Sequence, residues 1–281
     1  MYKIVNKKLL SSTVVQIDVE APLVAKKAQP GQFIILRVDK DGERIPLTVA
    51  GYNREKGTVT VIFQTVGATT LKLSRLEEGE HLHDFVGPLG RATQTEGLKK
   101  VAVVAGGVGC AIAYPVACKL FAEGVTVHTV VGFRTKELVI LENEMKESSS
   151  LYRLVTDDGS AGEKGFVTTA LEALLDNGEE YDEVITVGPL VMMKAVCELT
   201  KKYNVKTIAS MNPIMIDGTG MCGGCRLTVG GKTVFACVDG PEFDGHQIDF
   251  DEAISRASIY RPFESKVREQ TCNLLNEDAK A

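Results

Sequence analysis

The chain opens on runs of alternating polarity. Residues 13–20 (TVVQIDVE) place an apolar side chain at nearly every second position, and GQFIILRV (31–38), RIPLTVA (44–50) and GTVTVIFQTV (57–66) follow, with Gly, Pro and Asn between them. A period of two broken by turn residues predicts β-strands. Residues 1–96 therefore read as a small antiparallel β-barrel or sandwich. After Gly97 the rhythm changes to an apolar run, a glycine turn and a helical pattern: KKVAVVAGGVG (99–109) leads into AIAYPVACKLFAEG (111–124), and VTVHTVVGF (125–133) into ELVILENEMKES (137–148). The alternation continues through LYRLVTDDGS, FVTTALEALLDNG, EVITVGP, LVMMKAVCELTKKYN and VKTIASM. Strands apolar on both faces, alternating with helices, predict an α/β domain with a doubly wound parallel sheet over residues 97–211. From residue 212 a segment dense in Gly and Cys, then a polar helical stretch, fills residues 212–281.

Composition narrows the function. The chain's 281 residues are about twice a typical domain of ~150, and 44% hydrophobic with 25% charged residues is an ordinary globular balance that excludes a disordered scaffold. No apolar run approaches the roughly 18–20 residues of a membrane-spanning helix. The first ten residues, MYKIVNKKLL, lack a signal-peptide apolar core, so the cytoplasm is the expected setting. A net charge of −5 without a basic stripe gives no footing for nucleic acid. Three of the seven cysteines fall within residues 222–237, a crowding that points to metal or redox chemistry rather than a disulfide framework.

Four strand ends carry candidate binding signals. The turn Gly106, Gly107, Val108, Gly109, Cys110, Ala111 stands where a strand hands over to a helix, and glycines there let a backbone approach a pyrophosphate at a helix N-terminus. It is not a complete G-x-G-x-x-G, and glycine also serves tight turns for geometry alone. Gly132, Phe133 and Arg134, then Asp157, Asp158 and Gly159, then Gly188 and Pro189 close further strands on the same predicted edge. Arg134 is either a partner for a ribose 2′-phosphate or a solvated surface cation; Asp157 and Asp158 either bond ribose hydroxyls or cap a turn. The choice between NAD and NADP stays open on these residues. In the β segment, Arg44, Pro46, Leu47 and Thr48 combine a cation able to pair with a pyrophosphate, an amide-free edge and a hydroxyl in reach of a flavin ring, or else form a plain edge strand. Cys222, Cys225 and Cys237 supply three thiolates; Asp217 is the nearest fourth donor, and His246 is the nearest histidine downstream. Iron–sulfur cluster and structural zinc both suit such a loop. The remaining cysteines read as small buried residues, with a nicotinamide-facing Cys110 as the alternative. No Ser-His-Asp or paired-carboxylate constellation is present.

Several of these segments together resemble a known family: PGQF (30–33), RIPLT (44–48), VGATT (66–70), GPLG (87–90), AGGVG (105–109), VVGFR (130–134), TDDGSAG (156–162), VGPLVMMKAV (187–196) and ACVDGP (236–241). In order and over nearly the whole chain they resemble the ferredoxin-NADP reductase superfamily, in its dihydroorotate dehydrogenase electron-transfer branch. The resemblance implies an NAD(H)-dependent flavoprotein oxidoreductase subunit with three cofactors. FAD would be held by Arg44, Pro46, Leu47, Thr48, Ile62, Phe63, Gln64, Gly67, Thr69 and Thr70. NAD(H) would be held by residues 106–111, 132–134 and 157–159 with Gly188, Pro189 and Met192, and a [2Fe-2S] cluster by Asp217, Cys222, Cys225 and Cys237. That branch normally shows Cys-x4-Cys-x2-Cys-x11-Cys, whereas Asp217 stands first here. The Asp variant looks like the small subunit of NADH-dependent reduced ferredoxin:NADP oxidoreductase, which implies a heterodimer. Its large subunit would carry a second FAD, two [4Fe-4S] clusters and NADP(H), bifurcate electrons, and serve ferredoxin indirectly. The runner-up is an electron-transfer subunit for dihydroorotate dehydrogenase or another oxidoreductase; a non-catalytic, zinc-stabilised redox-sensing module is the remote alternative.

Overall fold

The computed structural model describes residues 1–278, with side chains as far as Thr271; the last three residues of the expected 212–281 module lie outside the described residues. The first sheet is built from β1 (Tyr2–Ser11), β2 (Val14–Glu20), β3 (Phe33–Arg37), β4 (Arg44–Asn53), β5 (Thr58–Gln64), β6 (His81–Leu82) and β7 (Asp84–Leu89). Its order is β6-β1-β2-β5-β4-β3-β7, with antiparallel pairing throughout. The two outermost strands, β6 and β7, are separated in sequence by His83 alone, so the sheet curls until its edges almost meet. Period-two alternation turns Val15, Ile17 and Val19 of β2, and Val59, Val61 and Phe63 of β5, into one interior with Ile34, Leu36 and Phe85. Two helices interrupt what the sequence presents as strand after strand: α1 (Pro22–Lys27) and α2 (Ala68–Arg75). At the second, Thr70 Oγ1 accepts hydrogen bonds from the amides of Val66 and Gly67, 3.1 and 3.0 Å, and so caps the start of a helix within the VGATT segment.

A second sheet holds β8 (Lys100–Gly106), β9 (Thr126–Phe133), β10 (Leu151–Thr156), β11 (Glu163–Lys164), β12 (Glu183–Val187) and β13 (Thr207–Ser210), all parallel. Helices α3 (Gly109–Ala122) and α4 (Glu142–Glu147) cover one face; α5 (Val167–Asp176) and α6 (Leu190–Lys202) cover the other. The segment ELVILENEMKES does not form the long helix its pattern suggests. A single 3₁₀ turn at Lys136–Leu138 ends, Ile140 enters the core, and Leu141 adopts a left-handed φ of 54° before α4 begins. Ile140 is drawn into the interior and Leu138, Val139 and Leu141 pack against the same core, which breaks the helical path.

The cysteine segment forms the hairpin β14 (Arg226–Val229) and β15 (Lys232–Phe235), then α7 (Ala236–Asp239), β16 (Glu242–Asp244), α8 (Phe250–Ser258) and α9 (Arg261–Asp278). Strand β16 pairs antiparallel with β13 and closes the edge of the second sheet. A single apolar cluster joins all three parts of the molecule: Phe33 and Ile35 from β3, Met193 and Ala209 from the α/β layers, and Cys225, Leu227, Ala236 and Cys237 from the cysteine segment. Among the described residues no helix is long and apolar enough to cross a membrane.

Candidate functional site

Three regions gather the residues singled out by the sequence. The first lies between β4 and β5. Residues 44–48 of β4 pair with β3, residues 49–53 pair with β5, and the β4–β5 ladder stops at Val49 opposite Val61. Beyond that point the two strands part, leaving the backbone edges of 44–48 and 62–64 facing each other unpaired. This explains how Pro46, which has no amide hydrogen, sits inside a seven-stranded sheet: its free side falls where no ladder bond is needed. Arg44, Pro46, Leu47, Thr48 and Gln64 are at least partly exposed along this opening, and the start of α2 stands at its end. A Cβ built on Gly67 would meet nothing within 4 Å, so there is room for a bulky anion beside the start of α2, although the Gly67 amide itself is taken by Thr70 Oγ1. Such a slot, with a cation and a helix start at one end, fits a flat ring carrying a pyrophosphate. Two residues of the expected set do not present side chains to it. Phe63 is turned into the barrel core, and Thr69 is buried with its hydroxyl donating to Glu43 Oε2 at 2.7 Å. Ile62 packs outward against Val14, Ala50 and the α3 layer.

The second region is the carboxyl edge of the parallel sheet. Its order, β10-β9-β8-β12-β13, reverses direction between β8 and β12, and an open α/β sheet offers its crevice at such a switch. The 106–111 turn and the 188–192 turn flank that position. Gly107 has φ +56° with open space beside it, the conformation and clearance a phosphate-binding turn needs. The neighbouring glycines serve packing instead: a Cβ on Gly106 would come 2.4 Å from Met192 Sδ, and one on Gly109 2.5 Å from the Val187 carbonyl oxygen. Met192 thus lies over Gly106 and Gly188, while Val108 and Pro189 line the two turns. The Cys110 side chain corrects a nicotinamide-facing placement. It is 1% exposed, its Sγ lies 3.8 Å from the Ile140 carbonyl, and burial, helped by Glu144, pushes the thiol up to about 12. Ala111 and Phe133 are likewise buried in the α3-side core. Gly132 is close-packed against Val167. Arg134, Asp157, Asp158 and Gly159 are exposed, and Asp158 accepts from the amide and hydroxyl of Ser160, the turn-capping alternative.

The third region is the loop from Asp217 to the start of α7. Glycines 218, 220 and 223, all with positive φ, bend it back on itself. Cys225 and Cys237 are buried with their sulfurs 3.2 Å apart, whereas Cys222 is exposed. Burial and the Cys225 sulfur push the Cys237 thiol up to about 12, so its thiolate needs a compensating cation. Asp217 accepts from the amides of Thr219 and Cys222, 2.8 and 2.7 Å, which hold its carboxyl below the usual range against a smaller effect of burial. Among the described residues no three His, Cys, Asp or Glu side chains already converge on one point. The donors fit by type: two touching thiols, a third on the same loop and an ionised carboxylate beside it suit an iron–sulfur cluster. Cys197 is buried and Cys118 half-buried, both remote from the loop in sequence, and the Cys272 side chain is outside those described.

Sequence reasoning missed the contacts that tie these regions together. A Cβ on Gly218 would strike Leu89 and Ile35, which places the cysteine loop directly on the barrel wall. Thr93, after the barrel, donates to Glu242 Oε1 at 2.7 Å, and burial lifts the Glu242 carboxyl to about 7.

Comparison with known proteins agrees with this arrangement. The family model for the iron–sulfur cluster binding domain of dihydroorotate dehydrogenase B matches residues 212–249. An uncharacterized protein of Clostridium beijerinckii, encoded in an adh 3′ region, is 49% identical, covering 95% of this chain and 93% of its own. A dihydroorotate dehydrogenase B (NAD(+)) electron transfer subunit homolog of Thermotoga maritima is 46% identical over 92% and 91%. A chain from the solved NADH-dependent reduced ferredoxin-NADP oxidoreductase, studied for flavin-based electron bifurcation, superposes with a TM-score of 0.92 at 41% identity, covering 96% and 97% of the two chains. Likeness of this extent, end to end, means that the chain belongs to the dihydroorotate dehydrogenase B electron-transfer-subunit family of the ferredoxin-NADP reductase superfamily, and is an oxidoreductase subunit.

Proposed function

We propose that this chain is the NADH-oxidising electron-transfer subunit of a flavin-based electron-bifurcating, NADH-dependent reduced ferredoxin:NADP oxidoreductase, working in either direction in the cytoplasm as half of a heterodimer. Its partner is a large subunit with its own flavin, [4Fe-4S] clusters and NADP(H) site. The reading rests above all on one observation: a single apolar core joins the β3 wall beside the flavin strand, the α/β layers and the cysteine loop. Bound FAD would supply the exchange between the electron pair of one hydride and two single electrons, and a [2Fe-2S] cluster would carry these one at a time.

Residues 1–96 form the flavin module in this proposal. Arg44 and the amides at the start of α2 bind the FAD pyrophosphate, while Pro46, Leu47, Thr48 and the backbone of 62–64 hold the ring plane between β4 and β5. Residues 97–211 form the nicotinamide module. The amides around Gly107 receive the dinucleotide phosphates, Pro189 and Met192 bound the crevice, and the exposed Asp157 and Arg134 meet the ribose end, while Asp158 caps its own turn through Ser160. Residues 212–281 form the cluster module, with Cys222, Cys225 and Cys237 as thiolate ligands and Asp217 as the fourth. An oxygen ligand in place of sulfur changes the cluster's charge and hence its potential.

The test is an anaerobic NADH titration of the purified chain, followed by visible absorption and low-temperature electron paramagnetic resonance. Flavin bleaching with a rhombic spin-half signal is expected. Stoichiometric zinc with neither flavin nor paramagnetic cluster, in protein purified without cofactor loss, would overturn the proposal in favour of a structural zinc module. A second reading follows from the Thermotoga maritima relative, whose description ties it to dihydroorotate dehydrogenase B. Copurification decides between the two: a large iron–sulfur flavoprotein supports bifurcation, a flavin-barrel dehydrogenase supports the alternative.

A further inference from the structure

Arg44 does not stand alone in its sheet. Antiparallel register sets it opposite Arg37 of β3, and sets Arg37 opposite Asp84 of β7, so the three residues form one row on one face of three adjacent strands. Within that row Asp84 is the hub. Its Oδ2 lies 2.8 Å from Arg37 Nε and 3.8 Å from Arg44 Nη2, and its Oδ1 lies 2.9 Å from His83 Nδ1. Arg37 is fixed further by donating to the Lys40 carbonyl at 3.1 Å; His83 Nδ1 donates to Asp84 when it carries a proton and accepts from Arg37 Nη2, 3.0 Å away, when it does not. The other nearby carboxylate, Glu43, turns away to Thr69 of α2. Burial opposes ionisation of Asp84, yet the His83 hydrogen bond and the Arg37 charge outweigh it and hold the carboxyl below its usual range. Two guanidiniums side by side repel, and a long, half-exposed arginine is costly to hold in one rotamer.

We propose that Asp84, braced by Arg37 and His83, is a positioning residue that aims the Arg44 guanidinium at the phosphates of the flavin dinucleotide. This rests on the reading of Arg44 given above. It also makes a prediction opposite in sign to simple charge counting. Removing a carboxylate beside an anion site raises local positive potential, which by itself tightens binding of a pyrophosphate. If Asp84 positions Arg44, the same removal loosens binding, because the freed cations repel each other and Arg44 leaves its aim.

The experiment uses the full chain freed of flavin, with dissociation constants for FAD and for riboflavin read from the change in flavin fluorescence. Riboflavin shares the ring and lacks the phosphates. Asp84→Asn is expected to weaken FAD about fivefold or more, the effect of roughly 1 kcal/mol, to leave riboflavin within about twofold, and to be rescued at least in part by Asp84→Glu. Unchanged or tighter FAD binding would overturn the proposal. Equal weakening of FAD and riboflavin would also overturn it, since that marks a fold strut rather than an aiming device. Arg44→Gln separates the two levels of inference. If it leaves FAD affinity unchanged, the phosphate role of Arg44 fails; if it weakens FAD while Asp84→Asn does not, only the role of Asp84 fails.

Discussion

Replacing Glu242 by Gln should change how stability depends on pH. The Glu242 carboxyl sits where the barrel, the edge strand β16 and the loop around Gly31 meet, with the Thr93 hydroxyl donating to it at 2.7 Å. Burial, reinforced by Glu183 and opposed by the Thr93 bond, raises its pKa from 4.5 to about 7. A carboxyl whose pKa is higher in the fold than in the unfolded chain holds its proton longer when folded. Stability from this site is therefore complete below pH 4.5, falls as pH rises toward 7, and is level above that. At about 1.4 kcal/mol per pKa unit, the loss across this window is about 3 kcal/mol. Gln cannot ionise, and its Oε1 still accepts from Thr93. Glu242→Gln should match the parent near pH 4.5 and exceed it by about 3 kcal/mol at pH 8. Urea unfolding of both chains at half-unit steps from pH 4.5 to 8, followed by circular dichroism, measures the difference. A parent-minus-variant difference that stays constant with pH would refute the reasoning, because it would mean that Glu242 ionises in the fold as it does in water.

Three other outcomes follow from the geometry. Asp217→Ala should lose or weaken the cluster signal while flavin absorbance is retained, and unaltered cluster spectra would remove Asp217 from the ligand set. Gly109→Ala drives a Cβ to 2.5 Å from a backbone carbonyl that cannot rotate aside; a loss of about 1–3 kcal/mol is expected, read as a lower urea midpoint. Cys110→Ala should leave NADH oxidation nearly unchanged and cost about 1 kcal/mol in stability; a large drop in the hydride-transfer rate at unaltered stability would return the thiol to the nicotinamide face.

How far the sequence could be read depended on how local each signal was. β2 and β5 declared themselves by period two, β3 by a short apolar run between turn residues, and the βα alternation by apolar runs ending in glycine, because all three patterns are set within a few residues. The unpaired stretch between β4 and β5 could not be seen, since it follows from where a ladder between distant strands stops. Facing was legible only by parity. In β5 Ile62 and Phe63 look equally apolar, but the first packs toward α3 and the second fills the barrel. The Cys110 thiol was ambiguous for the same reason: the first turn of α3 decides whether it meets the crevice or Ile140. Thr93 with Glu242, and Arg44 with Asp84, are pairs made by strand register and module packing, which spacing along the chain does not encode.

The core shared by Phe33, Ile35, Met193, Leu227 and Ala236 has a consequence for building with this protein. The chain looks like beads on a string, and a cysteine segment cut at residue 212 looks transplantable to any barrel of similar shape. Transplanted alone, it would arrive without its supports, because the apolar floor beneath Cys225 and Cys237 is supplied in part by a strand nearly two hundred residues earlier and in part by Met193 and Ala209 of the α/β layers. A working graft has to carry the β3 and β7 surface, with Ile35 and Leu89 against Gly218, as part of the same cassette.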